Sequence, residues 1–427
     1  MGSGKTSYFI NRMNSNPKGK YIYVTPTLSE VARIQEACHS LDFKEPEAKV
    51  HGSKYYNFMT LVKFGDNIVT THALFNLISQ EILASLKAQG YTLVIDEALN
   101  CVEMYTDITK NDLDLLLSTG AVVPCPETHR LLWNNDDEDK FATYKGKFDH
   151  VRRLCENGNL IYYRNATLLW EFPVEFLKAF KELWALTYLF RGSTMHSYLQ
   201  AEGIKIKMFS VSGNPREAEL IKYTETDERE IKARLRPLIN LYEGKGNDIG
   251  TKTNRGNPLC SNWFKKATDE DLDTLKKGMT NFFRYYCDTK AEDNAWTSFK
   301  SFKAKLSGKG YSKGFIPNNT KATNEFQDKK AVAYVQNTFY HPIVSGYFKE
   351  KGVKTYEELH SLSEMVQFIW RSQIRAWEPI SLYIPSERMR GLFKIWLQSN
   401  SVEELFNNIN QSFRLGGKQG LNQLELD

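Results

Sequence analysis

The sequence predicts an α/β protein with parallel central sheets, on three observations. Apolar runs recur through the first half: Tyr21-Ile22-Tyr23-Val24, Asn67-Ile68-Val69-Thr70-Thr71, Thr92-Leu93-Val94-Ile95 and Ala185-Leu186-Thr187-Tyr188-Leu189. Continuous rather than alternating hydrophobicity marks strands buried on both faces, as in a parallel sheet covered by helices. Helical patterns separate these runs, which gives the strand–helix order of α/β domains. The third observation is size. A chain of 427 residues exceeds one ordinary domain and fits two of about 200 residues each. Hydrophobic residues make up 41% and charged residues 25%, so a large core is available without disulfide staples.

Each element follows in order. The polar, acidic stretch Asn134 to Asp139 reads as a solvated loop. Residues 203–211 alternate like a strand, and the interdomain boundary is placed there: a first domain over 1–202 and a second over 203–427. Glu243 to Asn262 is rich in Gly, Asn and Thr and reads as a long loop, with an insertion near 243–290. A second α/β pattern follows. In it Leu359, Leu362, Val366 and Ile369 recur at helical spacing, Ile380-Ser381-Leu382-Tyr383-Ile384 reads as a strand, and Ser386 after Pro385 as an N-cap. There is no repeat of solenoid period and no long low-complexity tract.

Net charge is +5, which permits a nucleic-acid partner without demanding one. The six cysteines (Cys38, Cys101, Cys125, Cys155, Cys260 and Cys287) are scattered with no C-x-x-C pair, which argues against a zinc site and for a reducing compartment. No apolar run is long enough to span a bilayer and no secretory leader opens the chain, so the expected location is cytoplasmic, without a membrane partner.

The chemistry begins at residue 2. Gly2-Ser3-Gly4-Lys5-Thr6-Ser7 has the end of a P-loop. Glycines let backbone N–H groups close around phosphate oxygens, the Lys5 ammonium neutralises β- and γ-phosphates, and the Thr6 hydroxyl takes Mg²⁺. Tyr8-Phe9-Ile10 continues into a helix whose N-terminal dipole favours the anion. The first glycine of the full G-x-x-x-x-G-K-[ST] motif, and the strand before it, would fall upstream of residue 1; the expectation is a reading frame that begins earlier. About ninety residues on, the apolar run Thr92–Ile95 ends in Asp96-Glu97. An acidic pair at a strand's carboxyl end is where open α/β sheets bind ligand. Asp96 is suited to Mg²⁺ and Glu97 to polarising an attacking water.

With these residues in hand the chain resembles superfamily 2 helicases of the DEAD/DEAH kind, phage-encoded DNA helicases in particular. Tyr23-Val24-Thr25-Pro26-Thr27 resembles the family's motif Ia and Thr70-Thr71-His72 the next backbone-contacting turn. Asp96-Glu97-Ala98-Leu99 resembles the acidic box, with Leu99 where the family has His or Asp. Arg191-Gly192-Ser193-Thr194 resembles the Ser-Ala-Thr motif, Ala295-Trp296-Thr297-Ser298-Phe299-Lys300 motif IV, and Ala322-Thr323-Asn324-Glu325-Phe326 the motif V region. The resemblance implies two RecA-like P-loop domains with ATP and Mg²⁺ in the interdomain cleft. It further implies nucleic-acid contacts at Thr25, Pro26, Thr27, Thr71 and His72, and coupling through Ser193 and Thr194. DNA stands ahead of RNA as the track, in phage or mobile-element replication, with replication proteins as further partners.

Gln367, Arg371 and Arg375 are each four apart and are expected to share one helix face. By the resemblance, this is motif VI, and Arg371 is the arginine finger that stabilises transition-state charge. The family has its second arginine seven residues after the glutamine; here it is eight, and Trp370 stands in place of a glycine. Between Asn294 and Asn324 there is no acidic residue, while Lys300, Lys303, Lys305, Lys309, Lys313 and Lys321 interleave with Trp296, Phe299, Phe302, Tyr311 and Phe315. Lysines can pair with phosphates and aromatics can stack on bases, with Lys300 and Lys313 the leading contacts; the alternative is a solvated surface whose aromatics are core. Two other functions compete with an ATP-driven helicase or translocase. A viral packaging ATPase expects an acidic nuclease cluster that the second half lacks. A helicase relic would bind nucleic acid without hydrolysis.

Overall fold

The computed structural model describes residues 4–49, 52–135, 141, 144–213, 217–252, 256–318 and 326–414. Gly2 and Ser3 of the phosphate motif, residues 136–139 of the acidic loop, Lys321, and Ala322 to Glu325 of the motif V region lie outside the described residues. The chain forms two compact units. One comprises Phe9–Ile206 with His341–Thr355, and the other Met1–Tyr8, Lys207–Tyr340 and Tyr356–Asp427.

The first of these is built on a five-stranded sheet in the order β10-β4-β1-β3-β2, parallel throughout. Its strands are β1 (Tyr21–Thr25), β2 (Phe43–Lys44), β3 (Asn67–Thr71), β4 (Thr92–Asp96) and β10 (Glu182–Leu186). Ile22, Tyr23, Val24, Ile68, Val69, Leu93, Val94 and Ile95 have no exposed surface, which is why those runs are apolar without alternation. The fourth strand is displaced from the apolar run Ala185–Leu189. β10 pairs with β4 from Glu182↔Thr92 to Leu186↔Asp96, and it stops because β4 stops. The chain then turns sharply, with Leu189 at φ 51°.

Between β4 and β10 lies an antiparallel module that the sequence pattern did not reveal. It consists of β5 (Val102–Met104), β6 (Val122–Pro124), β7 (Leu131–Trp133), β8 (Leu160–Tyr163) and β9 (Thr167–Glu171). These make a three-stranded sheet β5-β9-β8 and a ribbon β6-β7. Leu113, Leu116, Val122, Leu131, Trp133, Val151, Leu160 and Leu168 give it a core of its own. The helix Pro342–Glu350, remote in sequence, docks here. Tyr347 OH donates to Glu171 Oε2 at 2.5 Å, Arg130 Nη2 donates to Glu171 Oε1 at 2.6 Å, and Lys351 Nζ lies 2.8 Å from Glu202. Glu171 is wholly buried, so these partners compensate a charge that burial alone would make costly.

The second unit carries a four-stranded parallel sheet, β13-β16-β15-β14. Its strands are β13 (Ile239–Leu241), β14 (Asn294–Thr297), β15 (Ala331–Tyr334) and β16 (Ile380–Tyr383). Residues 204–208 are irregular rather than a strand; pairing begins with β11 (Phe209–Ser212) against β12 (Glu219–Lys222). The stretch expected to hold an insertion contributes the helices Ser261–Lys266 and Asp269–Asn281 to the main core, through Phe264, Leu272, Leu275 and Met279. The glycine-rich segment before them is tied down: Tyr383 OH donates to Gly246 O at 2.5 Å, and a Cβ on Gly250 would lie 2.0 Å from Pro385 O. Ser386 caps the helix Glu387–Gln398, accepting from Met389 N.

Candidate active site

The helix Lys5–Asn14 starts immediately after Gly4, whose φ of 72° is left-handed and favours glycine. Tyr8 N donates to Gly4 O at 2.8 Å, closing the first turn. No acidic residue occupies that turn, and the dipole of a helix N-terminus favours an anion. Lys5, Thr6 and Ser7 are half-buried. Further along, Phe9 packs against Trp184 of β10 with ring centroids 5.1 Å apart, and Arg12 lies over the same indole at 4.8 Å. These contacts fix the axis of the helix against the sheet.

Asp96 ends β4, and Glu97 follows in the left-handed region at φ 62°. A glutamate there costs about 1–3 kcal/mol, which the surroundings must hold in place. They do so at both ends of a single peptide group. The Asp96 carbonyl accepts from His72 Nε2 at 2.8 Å, and the Glu97 amide donates to Leu186 O of β10 at 3.1 Å. A carbonyl can only accept, so His72 carries its proton on Nε2. The Asp96 side chain is held separately: Tyr23 OH donates to its Oδ2 at 3.2 Å. Burial, then the neighbouring Asp96 charge, pushes the Tyr23 phenol well above its ordinary range, so it stays a donor.

The turn after β10 connects to this peptide. Ser193 caps the helix Thr194–Ala201, accepting from His196 N at 3.1 Å, and Thr194 Oγ1 donates to Asn100 Oδ1 at 2.9 Å. Asn100 lies three residues beyond Glu97, so the Ser193-Thr194 turn is tied to the segment that follows the acidic pair. Burial, with Arg191 adding to it, lowers the His196 imidazole to about 4.

Other expected residues fall differently. Thr25 and His72 are buried, and His72 points inward to Asp96 instead of outward to a track; Pro26, Thr27 and Thr71 are half-exposed. The arginine helix is shorter than its side-chain pattern. It spans Glu357–Ile369, burying Leu359, Leu362, Val366 and Ile369, and then tightens, with Arg371 N donating to Phe368 O. Ser372 Oγ caps Ile369 O at 2.7 Å, and Arg375 sits in a separate 3₁₀ turn, Gln373–Ala376. Gln367, Arg371 and Arg375 therefore do not share one helix face. Gln367 Nε2 bonds Ser363 Oγ at 2.9 Å, Arg371 is half-buried with its guanidinium 5.7 Å from the Phe368 ring centre, and Arg375 is exposed. In the basic stretch, Lys300 and Lys313 are exposed. The aromatics among them belong to the core: Trp296 and Tyr311 are buried, and Phe299, Phe302 and Phe315 pack on the same cluster. Trp296 and Tyr311 thus offer no free face to a base, while Phe299, Phe302 and Phe315 are partly buried.

Sequence reasoning missed Tyr23 and the inward role of His72. No local signal marks them, because their placement rests on strand pairing. Tyr23 pairs with Val94 in register, and Asp96 lies two residues past Val94, on the same face of the sheet. Among the described residues no helix is long and apolar enough to cross a membrane.

Fold and site together define an α/β protein of two parallel-sheet units, with an acidic pair fixed at the carboxyl end of an interior strand. Residues 233–397 match the YonV C-terminal Rossmann-like domain, and residues 102–170, which span the antiparallel module, match the YonV middle domain. The SPbeta prophage-derived uncharacterized protein YonV of Bacillus subtilis (strain 168) is 38% identical over 407 residues, covering 93% of this chain and 97% of that protein. The chain belongs to the YonV family. A solved XPD helicase structure aligns over 88% of this chain and 89% of its own at 12% identity, with a TM-score of 0.43, too loose a likeness to carry an inference.

Proposed function

We propose that this protein is an ATP-dependent nucleic-acid helicase or translocase with DNA as its preferred track. One observation carries the reading: Asp96-Glu97 closes an interior parallel strand, with the peptide between them clamped at both ends and the Asp96 carboxylate held by Tyr23. Acidic pairs at this place in an open sheet face the ligand crevice. The ligand assigned to these residues is a magnesium nucleotide. By residue chemistry, Asp96 and Thr6 are each hard-oxygen donors of the kind Mg²⁺ prefers, and a lysine at a helix start, Lys5, suits phosphate. Bound ATP with Mg²⁺ supplies the phosphoryl group and the charge against which it leaves.

The chain's own residues do the rest. Lys5 neutralises phosphate charge, with Gly4 and Ser7 shaping the turn. Glu97 orients and polarises the attacking water. Arg371 is assigned the transition-state charge, with Gln367 and Arg375 supporting it. Pro26, Thr27 and Thr71 contact the nucleic-acid backbone, and Lys300 and Lys313 add phosphate contacts. Ser193 and Thr194 pass the state of the acidic pair to the helix they begin, through Asn100.

Strand displacement on tailed DNA and RNA duplexes with Mg-ATP tests the motor. Displacement from one tail polarity is expected, with loss in Lys5→Ala. Displacement that persists without ATP would exclude a motor.

A further inference from the structure

The His72 contact spans an unusual distance in the sheet. β3 and β4 are not neighbours; β1 lies between them, so their axes are about 9.6 Å apart. Thr71 of β3 pairs with Thr25 of β1, and Val24 with Ile95. Asp96, Thr25 and Thr71 thus form one row across the carboxyl edge. His72, the residue after Thr71, reaches across the end of β1 to the Asp96 carbonyl. Its aim is rigid. It opens the single helical turn His72–Phe75, capped by Thr71 Oγ1 accepting from Leu74 N, and Phe75 is wholly buried, stacked on Phe172 at 5.6 Å and 12°.

We propose that His72 is a positioning residue for Glu97 and that the Thr71 turn senses nucleic acid through it. This rests on the ATPase reading of Asp96-Glu97. Glu97 holds a backbone conformation that glutamate avoids, and the orientation of the peptide before it decides where its carboxylate faces. One end of that peptide is fixed by Leu186 within the sheet, and the other by a buried side chain that follows the half-exposed Thr71. A track that shifts the backbone at Thr71 moves the His72 ring, and with it the peptide and the Glu97 carboxylate. Nucleic acid thereby sets the water-polarising geometry without touching either carboxylate.

The test compares His72→Phe, which keeps the ring volume and loses the N–H, with His72→Gln, whose Nε2 retains a donor at similar reach. Hydrogen exchange over the segment from Leu93 to Asn100 is measured without nucleotide, and ATP turnover with and without single-stranded DNA. In His72→Phe the Glu97 amide should exchange roughly tenfold faster, as expected for one lost hydrogen bond. The kcat should fall roughly 10–100-fold with KM for ATP held, as expected for a misplaced catalytic group, and stimulation by DNA should disappear. His72→Gln should restore all three. Unchanged exchange and DNA stimulation in His72→Phe would overturn the proposal. A wild-type protein that shows the protected amide yet no hydrolysis would instead overturn the ATPase reading, and the sensing role with it.

Discussion

The two parallel sheets are built alike and finished differently. At the carboxyl edge of the first, β4 ends in two adjacent carboxylates, one of them in a strained backbone conformation held by bonds from both sides. At the same edge of the second, β14 and β15 run into Thr297, Ser298, Gln336 and Asn337, which are neutral and buried. The carboxylate after β13, Glu243, is neutralised by Lys394 at 2.5 Å and Arg390 at 3.6 Å. Beneath it lies an aromatic core, with Tyr242, Phe282 and Tyr383 packed edge-to-face and stacked. Strain and adjacent carboxylates coincide at the first edge, while at the second the left-handed Leu259, φ 61°, accepts from Asn337 N beside neutral side chains. The shared architecture sets where a ligand can lie, and the residues past the strand ends distinguish the two sheets, which is why the proposed chemistry is assigned to the first.

The contrast can be broken most severely at Asp96. Asp96→Asn should lower Mg-ATP turnover at least roughly 100-fold with little change in melting temperature, because a charge is lost and the Tyr23 donor keeps an oxygen partner. Loss of fold in this variant would make Asp96 a structural residue. Next in size is Glu171→Ala, which strands Arg130 and Tyr347 around an empty carboxylate site while Lys351 keeps Glu202 at 2.8 Å. Breaking a buried pair costs about 3–5 kcal/mol, and chemical denaturation should show it. A change under about 1 kcal/mol would mean that Glu171 does not hold the helix Pro342–Glu350 in place.

His196 offers a pH probe of the first unit. Its folded value is about 4, against 6.5 for the free side chain. The unfolded chain therefore binds the proton first, so stability is full above about 6.5 and falls as pH drops towards 4, by about 3 kcal/mol at the lower end. His196→Phe should flatten that slope in urea titrations across the window; an unaltered slope would remove His196 from the account. The smallest effect belongs to the second sheet. Gly250→Ala forces a Cβ to 2.0 Å from Pro385 O, and the backbone shift should cost about 1–3 kcal/mol with ATP turnover per folded molecule retained. A larger loss of turnover than of stability would show that the second sheet's edge is not passive.

The fold was legible where hydrophobic burial dictated it. The runs at β1, β3, β4 and β16 are continuous because both faces are covered, and the α/β class follows from them. The middle module was not legible, since β5, β6 and β7 are three residues each, too short for any period to register. β10 was displaced because an apolar run records burial, whereas a strand's end records its partner's end. At the site, what could be read was the placement of Lys5 at a helix start after Gly4 and of Asp96-Glu97 at the end of an apolar strand. The peptide clamp could not, because it depends on the strand order β4-β1-β3, which no local pattern contains. The arginine face failed for a related reason. The four-residue spacing of Gln367, Arg371 and Arg375 describes side chains, while the helix ends through a hydroxyl, Ser372, that takes the Ile369 carbonyl.

The most direct test of the central claim is ATP hydrolysis by the full chain in Mg²⁺, titrated with single-stranded DNA and with RNA, beside Glu97→Gln. The account predicts turnover that rises with DNA more than with RNA and falls at least roughly 100-fold in Glu97→Gln. Turnover that ignores both polymers, or survives intact in Glu97→Gln, would contradict it.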